Sequence, residues 1–227
     1  MFQPGTTKEL EHALREIEKI SLSVYSWIEI NKERGPQRVI LQNILLSSAK
    51  YIQIAADNFG THISIMALAT RSLYELNVRA RSILIFPTEL EKWQSEAIMD
   101  NIQIFEGIMA LEASGDVSVE RGVLQAEVDV LNTMRIKYSL PDIKKMTDTR
   151  TLAASVGLKN EHQGLFKLFS KLVHPSSYLT NCYEDAASER TRLTLQVHSQ
   201  LYALDTLNRI CEAQSVPEEI RSFVAGI

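Results

Sequence analysis

Glycine and proline are sparse in this chain, nine and six among 227 residues, and most of them stand far apart. A fold of many short strands needs a turn residue every few positions, so this scarcity disfavours it and leaves room for long helices. Cysteine is scarcer still. Cys182 and Cys211 sit in neither a CxxC nor any other metal-type spacing, which predicts reduced structural thiols and gives no support to a disulfide framework, a zinc site or redox chemistry. No run approaches the roughly 18 consecutive apolar residues of a membrane span. The N-terminal MFQPGTTKELEH also lacks a basic region followed by an apolar stretch. A cytoplasmic protein that does not enter a membrane is the expectation. HExxH, a phosphate-cradling Gly-rich loop and a Gly-x-Ser-x-Gly elbow are all missing, so zinc protease, NTPase and serine hydrolase readings have no footing and no cofactor is expected.

What is present is ordinary for a globular domain: 45% apolar and 23% charged residues. The formal charge of −4 is unevenly spread. Residues 88–129 carry ten acids against Lys92 and Arg121, whereas residues 130–174 carry eight bases against Asp142, Asp148 and Glu161. A basic local surface attracts phosphates even on an acidic protein, and solvated helix faces produce the same pattern.

Apolar spacing predicts an all-α bundle of about six to seven main helices. Leu10, Leu14, Ile17, Ser21, Val24, Ile28 and Asn31 recur at steps of four and three, marking a first helix over about 7–34 that Gly35-Pro36 ends. A second, about 36–58, turns Ile40, Ile44, Tyr51, Ile52, Ala55 and Phe59 toward a core and closes at Gly60. The third, about 61–86, bears Ile63, Ala67, Thr70, Tyr74, Val78 and Leu84 and stops before Pro87. Thr88 with Glu91 reads as a capping box for a fourth helix, to about Ala113, with Leu90, Trp93, Ala97, Ile104, Phe105, Ile108 and Leu111. Ser114-Gly115-Asp116 reads as a turn, and a fifth helix follows over about 119–138. Between Ser139 and His162 the periodicity weakens toward short helices and loops. A helix of two to three turns over about 163–173 and a last long one over about 185–213, carrying Leu193, Val197, Leu201, Leu204 and Leu207, complete the set. With no internal repeat, a single domain over residues 1–227 is expected.

Chemistry concentrates in FKLFSKLVHPSSY, residues 166–178. Lys167 and His174 are seven residues apart, within about 20° of one another on a helix, and Ser170 lies one turn before the histidine on the same face. Pro175 ends the helix beside His174. An imidazole there suits an acid, a base or a phosphate partner, and equally suits a polar cap whose ring bonds a carbonyl. In RSLYELNVRAR, Arg71 and Glu75 form an i,i+4 pair after the apolar stretch ISIMALAT, an arrangement suited to bracing a partly buried arginine. Arg192 and His198 are about 120° apart on their helix, which reads as a chance pairing. Glu9 and His12 have the spacing of a di-iron ligand pair, but no second Glu-x-x-His exists.

The order RSLYEL, then LPDIKKMTDTRTLAASVGL, then LFKLFSKLVHPSS resembles a bacterial family of unknown function within the HEPN-like helical proteins, over roughly residues 60–180. That family shows an Arg-x-x-x-Glu helix, a proline-led P-x-I-K segment ending in Gly-Leu, and a Y-R-x-L-S-x-x-V-H-P-S helix. The resemblance implies an α-helical bundle with a HEPN-like core over about 60–215 and a helical hairpin over 7–58 packed on it. It also implies dimerisation and, as in several such proteins of toxin–antitoxin and phage-defence systems, metal-independent RNA cleavage by attack of the 2′-hydroxyl. Carried across, His174 matches the histidine, Ser170 the serine, and Pro175 and Ser176 the pair that follows. Arg71 and Glu75 match the earlier helix. Lys167 stands where arginine is expected, Phe166 where tyrosine is, and Leu168 where active ribonucleases often have a polar residue. Lysine keeps the charge and loses the planar fork.

The resulting expectation is a bacterial, cytoplasmic, homodimeric helical protein that binds or cleaves RNA, with a protein partner such as an antitoxin. His174, Lys167 and Ser170 are the candidate catalytic residues, with Arg71, Glu75, Lys171 and Ser176 binding or bracing. The alternative is a non-catalytic helical interaction module.

Overall fold

A computed structural model describes residues 7–111 and 118–221. Among these residues there are eleven helices and no strand, so the chain is all-α. They are α1 (Thr7–Asn31), α2 (Pro36–Asp57), α3 (Ile63–Ile85), α4 (Pro87–Leu111), α5 (Ser118–Lys137), α6 (Thr149–Ser155), α7 (Lys159–Val173), α8 (Ser177–Asn181), α9 (Tyr183–Ala186), α10 (Glu189–Ala213) and α11 (Glu218–Arg221). The number exceeds the expected six or seven because α6, α8, α9 and α11 run only four to seven residues, too short for a periodic apolar signal. The expected turn at Ser114-Gly115-Asp116 lies outside the described residues.

The helices fall into two compact units, residues 1–85 with 149–227, and residues 86–148. In the first, α1 and α2 pack as a pair, α3 lies against α2, and α10 lies along α3. Leu10, Leu14, Ile17, Ser21, Val24 and Ile28 are buried on α1, as their spacing predicts. Pro36 opens α2 behind an extended Gly35. Buried Arg38 ties the two helices: its Nη2 donates to Glu29 Oε2 at 2.6 Å and to the Glu29 carbonyl at 3.0 Å, and its Nε to Gln42 at 3.0 Å. By length and composition alone α2 is apolar enough to cross a membrane, with mean hydropathy 1.2 over 18 residues; half of that window is buried within the protein.

Small and polar residues join α3 to α10. Thr70 Oγ1 meets Ser199 Oγ at 2.8 Å, and Asn77 donates to Asp205 at 2.7 Å and to Thr206 Oγ1 at 3.0 Å, all around buried positions. The buried face of α10 is therefore Leu195, Ser199, Tyr202, Ala203, Thr206, Leu207 and Ile210, so that of the expected positions Leu207 is buried, whereas Leu193, Val197 and Leu204 are half-buried and Leu201 is exposed. The hydroxyls of Ser199 and Thr206, which find partners on α3, shift part of the apolar register expected from sequence. Arg192 holds the α2–α3 turn, its Nη1 donating to the carbonyls of Phe59 at 3.0 Å and Thr61 at 3.2 Å. Its partners are structural. His198 bonds the Thr194 carbonyl of its own helix.

Three helices end alike. After α5, α6 and α10 an amide reaches back five residues in the chain, Leu140 to Arg135, Leu158 to Ala153 and Val216 to Cys211, around a left-handed residue. That residue is Gly157 at φ 82° after α6, but Ser139 at φ 51° and Ser215 at φ 48° elsewhere. A Cβ is strained in this region. Ser215→Gly is therefore expected to stabilise the protein by about 0.5–1 kcal/mol, read as a higher urea midpoint at unchanged m-value.

The second unit is the α4–α5 pair followed by an irregular segment. Pro87 occupies the first turn of α4, so Thr88 lies inside the helix and is not its cap. Within this unit Thr147 N–H donates to Glu96 at 3.3 Å, and Arg135 pairs with Asp142. The apolar residues of α4 do not form the expected core: Ile104, Ile108 and Leu111 are 57%, 38% and 83% exposed.

Candidate functional site

The α7 helix takes its position from the turn before it. Gly157 closes α6 and Leu158 leads straight into Lys159, four residues earlier than the apolar pattern places the start. The helix then sorts its side chains by face. Phe169 and Leu172 are fully buried and His162 is 5% exposed, all within the unit that contains α3. Lys167, Lys171 and His174 are exposed on the opposite face, and Ser170 is half-buried beside them. His174 is the C-cap, with φ −95° and ψ 154°, the extended conformation that a following proline demands. Among the described residues its imidazole makes no hydrogen bond.

Ser176 holds the turn after His174 from both sides. Its hydroxyl donates to the Lys171 carbonyl at 2.7 Å and accepts from Leu179 N–H at 3.2 Å, capping α8, while its own amide donates to the His174 carbonyl at 2.6 Å. The serine thus braces the turn. Below it, His62, Ser64, Val173, Pro175, Leu179, Thr180 and Tyr183 line an open cavity of about 400 Å³. The rings of His62 and Tyr183 stand 4.9 Å apart at 41° across it.

Arg71 and Glu75 reach α7 through an aromatic relay. The Arg71 Nε donates to Glu75 Oε1 at 2.9 Å, and its guanidinium lies 4.8 Å over the Phe166 ring. Phe166 stacks on His162 at 4.5 Å, and His162 Nδ1 shares a 3.1 Å hydrogen bond with the Tyr74 hydroxyl. This places Arg71 against the residue that precedes Lys167, one turn from Ser170. Arg71 and Glu75 are one-quarter and about one-third exposed. The two Nη nitrogens of Arg71 make no hydrogen bond among the described residues, so its forked edge is available.

Beyond naming Tyr74 in the apolar pattern of α3, sequence reasoning missed the groups under this surface. Tyr74 is completely buried, and burial raises its hydroxyl above the ordinary tyrosine range, with Glu161 and Glu75 adding to the shift. Tyr202, T-shaped to Tyr74 at 5.1 Å, donates to Glu161 at 2.7 Å and is raised by burial and by that hydrogen bond. Both phenols therefore stay protonated. Beside them Asp205 accepts from Asn77, Arg81 and Arg209. Desolvation pushes its carboxyl up, but the hydrogen bonds of Arg209 and Asn77 and the charge of Arg81 outweigh it and hold it below the usual aspartate range. Asp205 with Arg209 and Asn77 with Arg81, both at i,i+4, were the hints of this cluster in the sequence. The two cysteines are free, Cys182 exposed and Cys211 buried, with burial pushing the Cys211 thiol up to about 11. Among the described residues no group of three or more histidine, cysteine, aspartate or glutamate side chains is placed to hold a metal ion.

No curated protein and no solved structure matches the chain. The profile of a family of unknown function matches residues 44–188, well over half of the sequence. That span holds the Arg71–Glu75 helix, the Gly157 turn and the whole of α7 with His174 and Ser176. By that match the chain belongs to the family of unknown function DUF5677.

Proposed function

We propose that this is a HEPN-like bacterial protein that grips RNA along the outer face of α7 and cleaves it without a metal ion. The supporting observation is the unpartnered, exposed imidazole of His174 at the end of a helix that presents Lys167 and Lys171 on the same face. Arg71 backs that helix through Phe166. In the proposed reaction the 2′-hydroxyl gives its proton to the neutral His174 ring, and its oxygen attacks the adjacent phosphorus. The bond to the 5′-oxygen breaks, leaving a 2′,3′-cyclic phosphate. A proton returned from an imidazolium completes the 5′-hydroxyl. Lys167 and the Arg71 fork stabilise the charge gathered on the phosphoryl oxygens. Ser170 orients the chain, and the His62–Tyr183 cavity offers an aromatic wall to an unstacked base. A cytoplasmic setting, and an antitoxin-like protein partner covering this face, accompany the proposal.

Purified protein incubated with single-stranded RNA in excess chelator tests it. His174→Ala should lower cleavage by about 10²–10⁴-fold, the usual contribution of a general acid or base. Lys171→Ala should weaken binding evenly across sequences and lower the salt slope by about one. Lys167→Arg should preserve or raise activity, since it restores the bidentate fork. A second reading, a non-catalytic interaction module, draws on Ser176 being committed to the turn and on lysine at position 167. Wild-type protein that neither cleaves nor retains RNA selects that reading and ends the first.

A further inference from the structure

The open cavity beside His174 is walled for a flat, uncharged ligand. Val173, Pro175 and Leu179 give it apolar sides, and among the described residues its lining holds no lysine, arginine, aspartate or glutamate. An ionic group would enter it without any of these to meet it. Its polar groups are the hydroxyls of Ser64, Thr180 and Tyr183 and the imidazole of His62. Ser64 N–H donates to His62 Nδ1 at 3.3 Å, so the neutral ring carries its proton on Nε2 and offers that edge as a fixed donor. The walls are held in advance of any ligand. Leu179 is 7% exposed, and the Ser176 hydroxyl ties the end of α7 to α8 by bonding both the Lys171 carbonyl and Leu179 N–H.

We infer that this cavity is a purine pocket, which makes RNA cleavage selective for a purine next to the scissile phosphate. The inference rests on the reading of α7 as the RNA-gripping face. Three features select the occupant. The volume of about 400 Å³ lies in the range of small-ligand pockets and admits a two-ring base. The His62 and Tyr183 rings, 4.9 Å apart, provide the aromatic surface on which an unstacked base lies. The donor pattern then separates the base classes. A purine presents N7 as an acceptor, with O6 of guanine or the N6 amine of adenine beside it. N7 accepts from His62 Nε2, and a rotatable hydroxyl of Ser64 or Thr180 serves either neighbour. On that edge a pyrimidine has C5–H in place of N7, and the His62 proton is left without a partner. Position agrees with chemistry. Val173 and Pro175, which flank His174 in the chain, both line the cavity, so a base seated there belongs to a nucleotide adjoining the phosphate at the imidazole.

Binding of guanosine, 7-deazaguanosine and uridine to the full chain, followed through the carbon-bound ring protons of His62 by NMR, tests the pocket without requiring cleavage. Guanosine is expected to shift the His62 signals and to bind about fivefold or more tightly than 7-deazaguanosine, which has C–H in place of N7, and than uridine. His62→Phe keeps a ring and removes the donor, so guanosine and 7-deazaguanosine should become equal in a direct titration by calorimetry. Tyr183→Ala should weaken guanosine about tenfold with helicity unchanged by circular dichroism. On single-stranded RNA, cleavage should be concentrated at purines in wild type and lose that preference in Tyr183→Ala. Absence of guanosine binding overturns the inference. So does 7-deazaguanosine bound as tightly as guanosine, a discrimination that survives His62→Phe, or RNA cleavage with no purine preference. Guanosine bound by a chain that neither cleaves nor retains RNA keeps the purine pocket and ends the α7 reading instead.

Discussion

Tyr74→Ala is expected to lower the unfolding free energy by about 3–5 kcal/mol, the loss typical of deleting a buried aromatic ring. The ring touches three others, Phe169 at 6.1 Å, His162 at 5.9 Å and Tyr202 at 5.1 Å, so its removal opens a cavity where α3, α7 and α10 meet. It also removes the hydroxyl that shares a hydrogen bond with His162 Nδ1. Tyr74→Phe keeps the ring and removes only that bond, and should cost about 1 kcal/mol. Urea denaturation at constant m-value measures both. If the two variants are equally damaging, the hydroxyl rather than the ring carries the site.

Asp205→Ala should cost about 3 kcal/mol, because the carboxylate is the shared acceptor of Asn77, Arg81 and Arg209. Without it the buried Asn77 amide loses its shortest partner and two guanidinium groups face each other with no anion between them. The effect carries a pH signature. Asp205 is held below its ordinary value in the folded chain, so its contribution is fully present above about pH 3.9, the unfolded value, and is lost as pH falls through the lowered folded one. Asp205→Asn removes that dependence. Unfolding midpoints measured from neutral to acidic pH should therefore converge for wild type and the asparagine variant at the acid end.

The long helices of the first unit were legible because their burial is one-sided and apolar: α1 keeps its fours and threes from Leu10 to Ile28. The register of α10 was not, since Gln196, Ser199, Gln200 and Thr206 are buried polar residues. Hydropathy assigns such residues to solvent, and only the neighbours on α3 reveal where they go. On α4 the reverse held. Ile104, Ile108 and Leu111 have the spacing of a core stripe, and periodicity states which residues share a face without stating what covers it. In the site region, spacing placed Lys167, Ser170 and His174 on one side of α7. The approach of Arg71 through Phe166 joins residues 95 positions apart, and no local pattern encodes it. Ser176 read as part of a motif, and its two hydrogen bonds give the serine a mechanical reason to be there.

The division of the chain also has a consequence for its birth on the ribosome. The first unit is interrupted by residues 86–148, and its central contacts, such as Thr70 with Ser199 and Asn77 with Asp205, span more than 120 positions. When α3 leaves the exit tunnel its mate α10 has not been translated. The nascent chain must therefore wait with the α3 groove open while the intervening hairpin is made, and at ordinary elongation rates that interval is on the order of ten seconds.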